Sequence, residues 1–148
     1  MLHLYNTLQN QPMKPIAAAV ILLLTVSLSY AQQSQHKAQI LDLCLNAEYW
    51  KPATDLSSEA STEPWVLAAY GDVKLTGDYT NHSTFRVENR DALVSAGNDR
   101  FFDVRVLDIR DNEAIVQMVY LVKGAVLDAQ LYRENNEWKM RESSVVIN

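Results

Sequence analysis

From Phe101 to Ile147 apolar and polar positions alternate, and the alternation is broken by three short polar or glycine-bearing pairs. Alternation of this kind marks strands with one dry face and one wet face, and the breaks mark tight turns. Asn135-Asn136 stands between two strand-like runs and tolerates positive φ, which predicts a two-residue hairpin. Counting back from it pairs Arg133 with Trp138, Leu131 with Met140, Ala129 with Glu142 and Leu127 with Ser144. Lys123-Gly124 supplies a second turn, setting Val116 against Leu131, Met118 against Ala129 and Tyr120 against Leu127. Asp111-Asn112 supplies the third. One face of the resulting four-stranded meander carries Ala114, Val116, Met118, Tyr120, Leu127, Ala129, Leu131, Trp138 and Met140. The other carries Gln117, Asp128, Gln130, Tyr132, Lys139 and Arg141.

The first of these strands contains a phase slip. Its apolar positions run Phe102, Val104, Val106 and then switch to Leu107 and Ile109. A slip of one residue inside a strand predicts a β-bulge, which bends and twists the sheet. No proline follows Pro64, as central strands require.

Ahead of the meander the spacing changes. Ile40, Leu41, Cys44 and Leu45 recur at helical intervals, predicting a helix over Gln32 to Asn46 that the Tyr49-Trp50-Lys51-Pro52 stretch terminates. The polar stretch from Ala53 to Thr62 reads as a short helix or a loop. Trp65 to Thr76 has strand composition with a break at Gly71, Ser83 to Val87 reads as a short strand, and Glu88 to Ala96 as a short helix stopped by Gly97.

The first thirty-one residues have another character. Lys14 precedes an apolar run from Ile16 to Leu28, and Ser29-Tyr30-Ala31 offers small residues where a signal peptidase reads. Residues 1–31 are therefore expected to be a signal peptide, with Met13 an alternative start, and 32–148 a single domain. The apolar run is short for a transmembrane helix, which needs about 20 residues, so no stable membrane anchor is expected after cleavage. The expected location is the periplasm or the exterior.

The net charge is −5, and all 18 acidic side chains lie beyond Ala31. An acidic domain without a basic run repels phosphate backbones, which excludes nucleic acid as a partner class. Cys44 is the one cysteine, so no internal disulfide forms, and its place in the helical stripe reads as a buried small hydrophobe. His36 and His82 are the histidines outside the signal segment, and neither stands in a metal-ligand spacing. His82 reads as a solvated loop side chain. No glycine-rich phosphate loop and no Gly-x-Ser-x-Gly elbow is present, so no cofactor is implied.

The order of elements, with Arg90-Asp91-Ala92-Leu93-Val94 before the sheet, Val104 to Ile109 followed by Ala114-Ile115-Val116, and the ending Leu131-Tyr132-Arg133-Glu134-Asn135-Asn136-Glu137-Trp138-Lys139-Met140, resembles the nuclear transport factor 2-like superfamily. Within it the chain is most similar to the polyketide cyclase-like and lumazine-binding-like branch. The resemblance covers about residues 65 to 147 and implies an α+β fold, a cone in which a curved antiparallel sheet wraps around N-terminal helices and leaves a pocket at its wide end. A homodimer is a partner arrangement it also implies.

In that pocket the expected register places one carboxylate, Glu142, on the apolar face beside Met118, Tyr120 and Ser144, with Trp65 and Tyr70 as candidates for the mouth. A carboxylate in an apolar cleft has a raised pKa and can act as a general base. At the rim of the sheet the same residue simply meets water. Three functions fit: an exported domain that binds a small molecule, a lyase or isomerase using Glu142, and a periplasmic interaction module working through a sheet face or edge. The first, without an assigned reaction, is the expectation the residues favour.

Overall fold

A computed structural model of the chain describes residues 32–50, 64–75 and 82–147. The signal segment expected over 1–31 and the stretch 53–62 lie outside the described residues. The chain divides into two compact units, 1–33 and 34–148, and every described strand lies in the second. No helix among the described residues is long and apolar enough to cross a membrane.

The fold is α+β. Helix α1 occupies residues 32–44 and is followed by the single turn α2 (Ala47–Trp50). Strands β1 (Trp65–Ala69) and β2 (Phe85–Val87), helix α3 (Arg90–Ser95), and strands β3 (Phe102–Arg110), β4 (Glu113–Tyr120), β5 (Ala125–Glu134) and β6 (Glu137–Ile147) complete it. The strands form one curved, unclosed sheet in the order β2-β1-β3-β4-β5-β6. Strand β1 runs parallel to both β2 and β3, while the remaining pairs are antiparallel. The sheet is thus mixed, a correction to the wholly antiparallel one expected. Its physical reason is the length of the connections on either side of β2, which cross over where a tight turn would return antiparallel.

All three turns fall where the breaks stand, and two of them are the two-residue hairpins expected. Asp111, Asn135 and Asn136 adopt φ of 50°, 51° and 66°, the left-handed values that two-residue hairpins demand. The anticipated slip in β3 is a bulge between Val104 and Val106: Val104 faces Met118, Val106 faces Gln117, and Arg105 is the extra residue. The turn at Lys123-Gly124 is longer than expected. A 3-10 turn over Leu121–Lys123 precedes Gly124, so Met118 pairs with Leu127 and Tyr120 with Ala125. The pairing moves by two residues, which preserves every side chain's face.

The β5–β6 hairpin departs more seriously. Arg133 pairs with Trp138 and Leu131 with Met140 as expected, but a second bulge then sets Gln130 against Glu142, Ala129 against Ser143 and Asp128 against Ser144. A displacement of one residue moves side chains to the opposite face.

The apolar face holds the core. Val116, Met118, Leu127 and Leu131 are buried there with Ile40, Leu41 and Cys44 of α1 and with Leu45 just past its end, each full aliphatic burial contributing about 1.5–3 kcal/mol. Helix α1 stops at Leu45, earlier than Pro52 would require, because the Asn46 side chain caps a new turn by accepting from the Glu48 amide at 3.0 Å. Trp50 then folds back, its indole donating to the Cys44 carbonyl at 2.9 Å.

Helix α3 lies on the other face. The Asn89 side chain caps its start, accepting from the Ala92 amide at 2.9 Å. Gly97, at φ 68°, ends it with paired bonds from Gly97 to Val94 and from Asn98 to Leu93, the Schellman arrangement. Leu93, Phe101 and Ala68 make a small second core beneath it.

Candidate functional site

The six residues singled out as pocket candidates do not converge. Met118 and Tyr120 are buried in the main core, where Tyr120, Trp65 and Trp50 surround the Phe102 ring at centroid distances of 4.9, 5.6 and 4.8 Å. Glu142 and Ser144 are exposed and stand opposite the exposed Gln130 and Asp128, on the face away from the core. The reason is the β6 bulge, so the register does not build the pocket carboxylate expected at position 142. Tyr70 is the candidate that borders a cleft.

That cleft has a volume of about 510 Å³ and opens where β1 and β2 end against the start of α3. Tyr70, Val73, Lys74, Val87, Arg90 and Asp91 are among its walls. Such a volume lies within the usual span for small-ligand sites, about 300–1,000 Å³. Gly71, at φ 60°, turns the chain immediately after Tyr70, and the Tyr70 amide donates to the Val104 carbonyl at 3.0 Å, next to the β3 bulge. The bulge thereby aims Arg105 at Tyr70, whose ring lies beneath the Arg105 guanidinium at 5.2 Å and the Arg90 guanidinium at 4.8 Å.

Arg90 is held from behind. Its Nε donates to Asp103 Oδ1 at 2.9 Å and its Nη2 to Asp103 Oδ2 at 3.2 Å. The Asp103 side chain is wholly buried and that of Arg90 is 30% exposed, so the fork is fixed inside while its outer edge faces the cleft. Hydrogen bonding to Asp103 lifts the guanidinium pKa further above its ordinary value. Sequence reading missed both residues. The signal available was a carboxylate in the otherwise apolar run Phe101-Phe102-Asp103-Val104, which asks for a buried partner.

His82 is also misplaced by the expectation of a solvated loop residue. Its ring stacks on Phe85 at 4.4 Å, and its Nε2 lies 3.2 Å from Asp42 Oδ2 of α1. Residue 82 was read from its loop neighbours, whereas its partner lies forty positions earlier. His82 Nδ1 and Asp42 Oδ1 are buried without a hydrogen-bond partner among the described residues. A carboxylate-oriented imidazole is the arrangement of a general base, but a base needs reach to its substrate, and this Nδ1 is covered.

Among the described residues no three histidine, cysteine, aspartate or glutamate side chains gather as metal ligands. Cys44 is inert, because burial pushes its thiol up to about 12. No protein-family model, curated protein or solved structure matches the chain.

Proposed function

We propose that the protein is an exported domain that binds a small molecule, built on the cone plan of the nuclear transport factor 2-like superfamily. The plan is supported by the order of elements: helix, short strand, short strand and short helix, then a four-stranded meander with its apolar face covered by α1. One observation carries the function. A cleft of about 510 Å³ is bordered by an arginine whose position is locked by a fully buried carboxylate, and pre-positioned polar groups beside apolar walls are what ligand sites present.

Amide shifts in a two-dimensional NMR screen against a library of small metabolites test this. Ligands that move Tyr70, Gly71, Val87 and Arg90 together support the cleft. Shifts confined to β6, where Val146 and Ile147 are each 53% exposed, favour the interaction-module reading instead. Export is tested by sequencing the N-terminus of the protein recovered from its host. A terminus at Gln32 supports it, and retention of residues 1–31 overturns it.

A further inference from the structure

Arg90 shows the cleft a guanidinium that Asp103 leaves half engaged. Asp103 occupies Nε and one hydrogen of Nη2. The donors on the opposite edge of the fork, Nη1 above all, have no acceptor among the described residues. A planar fork with a free edge matches a carboxylate by paired N–H···O bonds. The two bonds to Asp103 hold the guanidinium's orientation and the Tyr70 ring lies 4.8 Å from its Cζ, so little freedom remains to be lost on binding.

The charges around the fork specify how much negative charge fits. Lys74 borders the cleft and Arg105 stands over Tyr70, and neither is paired with a carboxylate among the described residues. Lys37 adds a second ammonium at that end, its Nζ donating to the Lys74 carbonyl at 3.2 Å. Against these stand Glu88, already joined to Arg86 at 2.5 Å, and Asp91, which borders the cleft beside Arg90. Asp72 is an exposed neighbour. One negative charge meets the fork and the lysine, whereas a second is pushed against Asp91. Of the remaining wall, Val73, Leu75 and Val87 are apolar and Asn89 is polar.

We propose, resting on the ligand-binding reading above, that the cleft takes a monocarboxylate with an apolar body, its carboxylate seated on the outer edge of Arg90 and its hydrocarbon against Val73 and Val87. Asp103 is a positioning residue, holding the fork without touching the ligand. A phosphate monoester, carrying nearly twice the charge at neutral pH, is selected against by Asp91.

The experiment is calorimetric titration of the full chain at pH 7 with octanoate, octanamide and octyl phosphate, with amide shifts followed in parallel. Octanoate is expected to bind at least about tenfold tighter than octanamide, the scale of a charge-assisted bidentate pair, and tighter than octyl phosphate. Arg90→Lys keeps the charge and loses the fork, and is expected to reduce octanoate to the level of octanamide. Equal affinity for octanoate and octanamide, with Tyr70 and Gly71 amides shifting for both, overturns the carboxylate proposal and leaves the cleft a ligand site. Tighter binding of octyl phosphate overturns the charge argument. Absence of cleft shifts with all three overturns this proposal, while the metabolite screen decides the broader reading separately. The comparison of the three compounds on the unsubstituted chain decides the matter even where Arg90→Lys does not fold.

Discussion

Arg133 Nη1 lies 2.7 Å from His36 Nε2, joining α1 to the β5–β6 hairpin across 97 positions of sequence. The Trp138 indole nitrogen approaches Nδ1 of the same ring at 3.3 Å. Both neighbours only donate, and a neutral imidazole has one lone pair to offer them. A proton on His36 removes that acceptor and sets a cation beside Arg133. Burial first, then the Arg133 charge, accordingly hold the His36 pKa below its ordinary 6.5, with Gln39 pulling the other way. As pH falls the unfolded chain takes up this proton before the folded one, so the stabilisation is complete above the unfolded pKa and is lost as pH falls from there toward the depressed folded value. Urea midpoints at pH 7.5 and 5.5 are expected to differ more for the native chain than for His36→Gln, which keeps an acceptor and does not titrate. The same pH slope in both proteins removes His36 from the account.

Cys44 supplies a prediction from burial alone. Its side chain is wholly enclosed, and a thiol pushed up to about 12 is protonated at any physiological pH. The thiolate is the reactive form. The folded protein is therefore expected to resist Ellman's reagent at pH 8 and to react stoichiometrically once unfolded in guanidinium. Rapid reaction of the folded chain shows that the α1 interface opens on the timescale of labelling.

The Arg90–Asp103 pair makes a demand on stability that is separate from any ligand. Removing one partner of a buried pair costs about 3–5 kcal/mol, because the other charge is left uncompensated. Arg90 is partly exposed, and water reaching the vacated space offsets some of this, so Arg90→Ala is expected to cost about 2–3 kcal/mol in urea denaturation. Replacing both residues, Arg90→Met with Asp103→Leu, removes the stranded charge and is expected to restore part of the loss. A double variant as weak as the sum of the two singles shows that the pair does not act as a unit.

Much of the sheet was legible in the chain because parity survives most errors of pairing. The Lys123-Gly124 turn was two residues longer than expected, yet Met118, Leu127 and Leu131 kept their face, since a displacement by two leaves alternation intact. The β3 bulge was legible because the slip fell among large apolar residues, Val106 and Leu107, where it shows. The β6 bulge was not. Arg141-Glu142-Ser143-Ser144 is polar on both parities, so nothing in the pattern records that one residue has been inserted. Glu142 was set on the wrong face for the same reason, and Asp103, never a candidate, was overlooked for another. Alternation with Phe102 and Val104 puts it on the face opposite the core, and only packing of α3 over that end of the sheet makes it dry. The mixed sheet was hidden too, because composition does not give the direction of β1.

Since one inserted residue decides whether Glu142 points into the core or into water, the β6 bulge can be tested directly by cross-linking. Residues directly opposite on antiparallel strands have Cα atoms about 4.5–5.5 Å apart, within the reach of a disulfide. With the bulge, Gln130 faces Glu142 and Ala129 faces Ser143. The double variant Gln130→Cys, Glu142→Cys is therefore expected to oxidise to an intramolecular disulfide in air, while Ala129→Cys, Glu142→Cys stays reduced, its two side chains lying on opposite faces. Cys44 does not interfere, being buried where α1 packs on the core. Glu142→Ala, an exposed substitution, is expected to change stability by less than about 0.5 kcal/mol. Oxidation of the second pair in place of the first, together with a large effect of Glu142→Ala, restores the unbulged register and returns Glu142 to the apolar face.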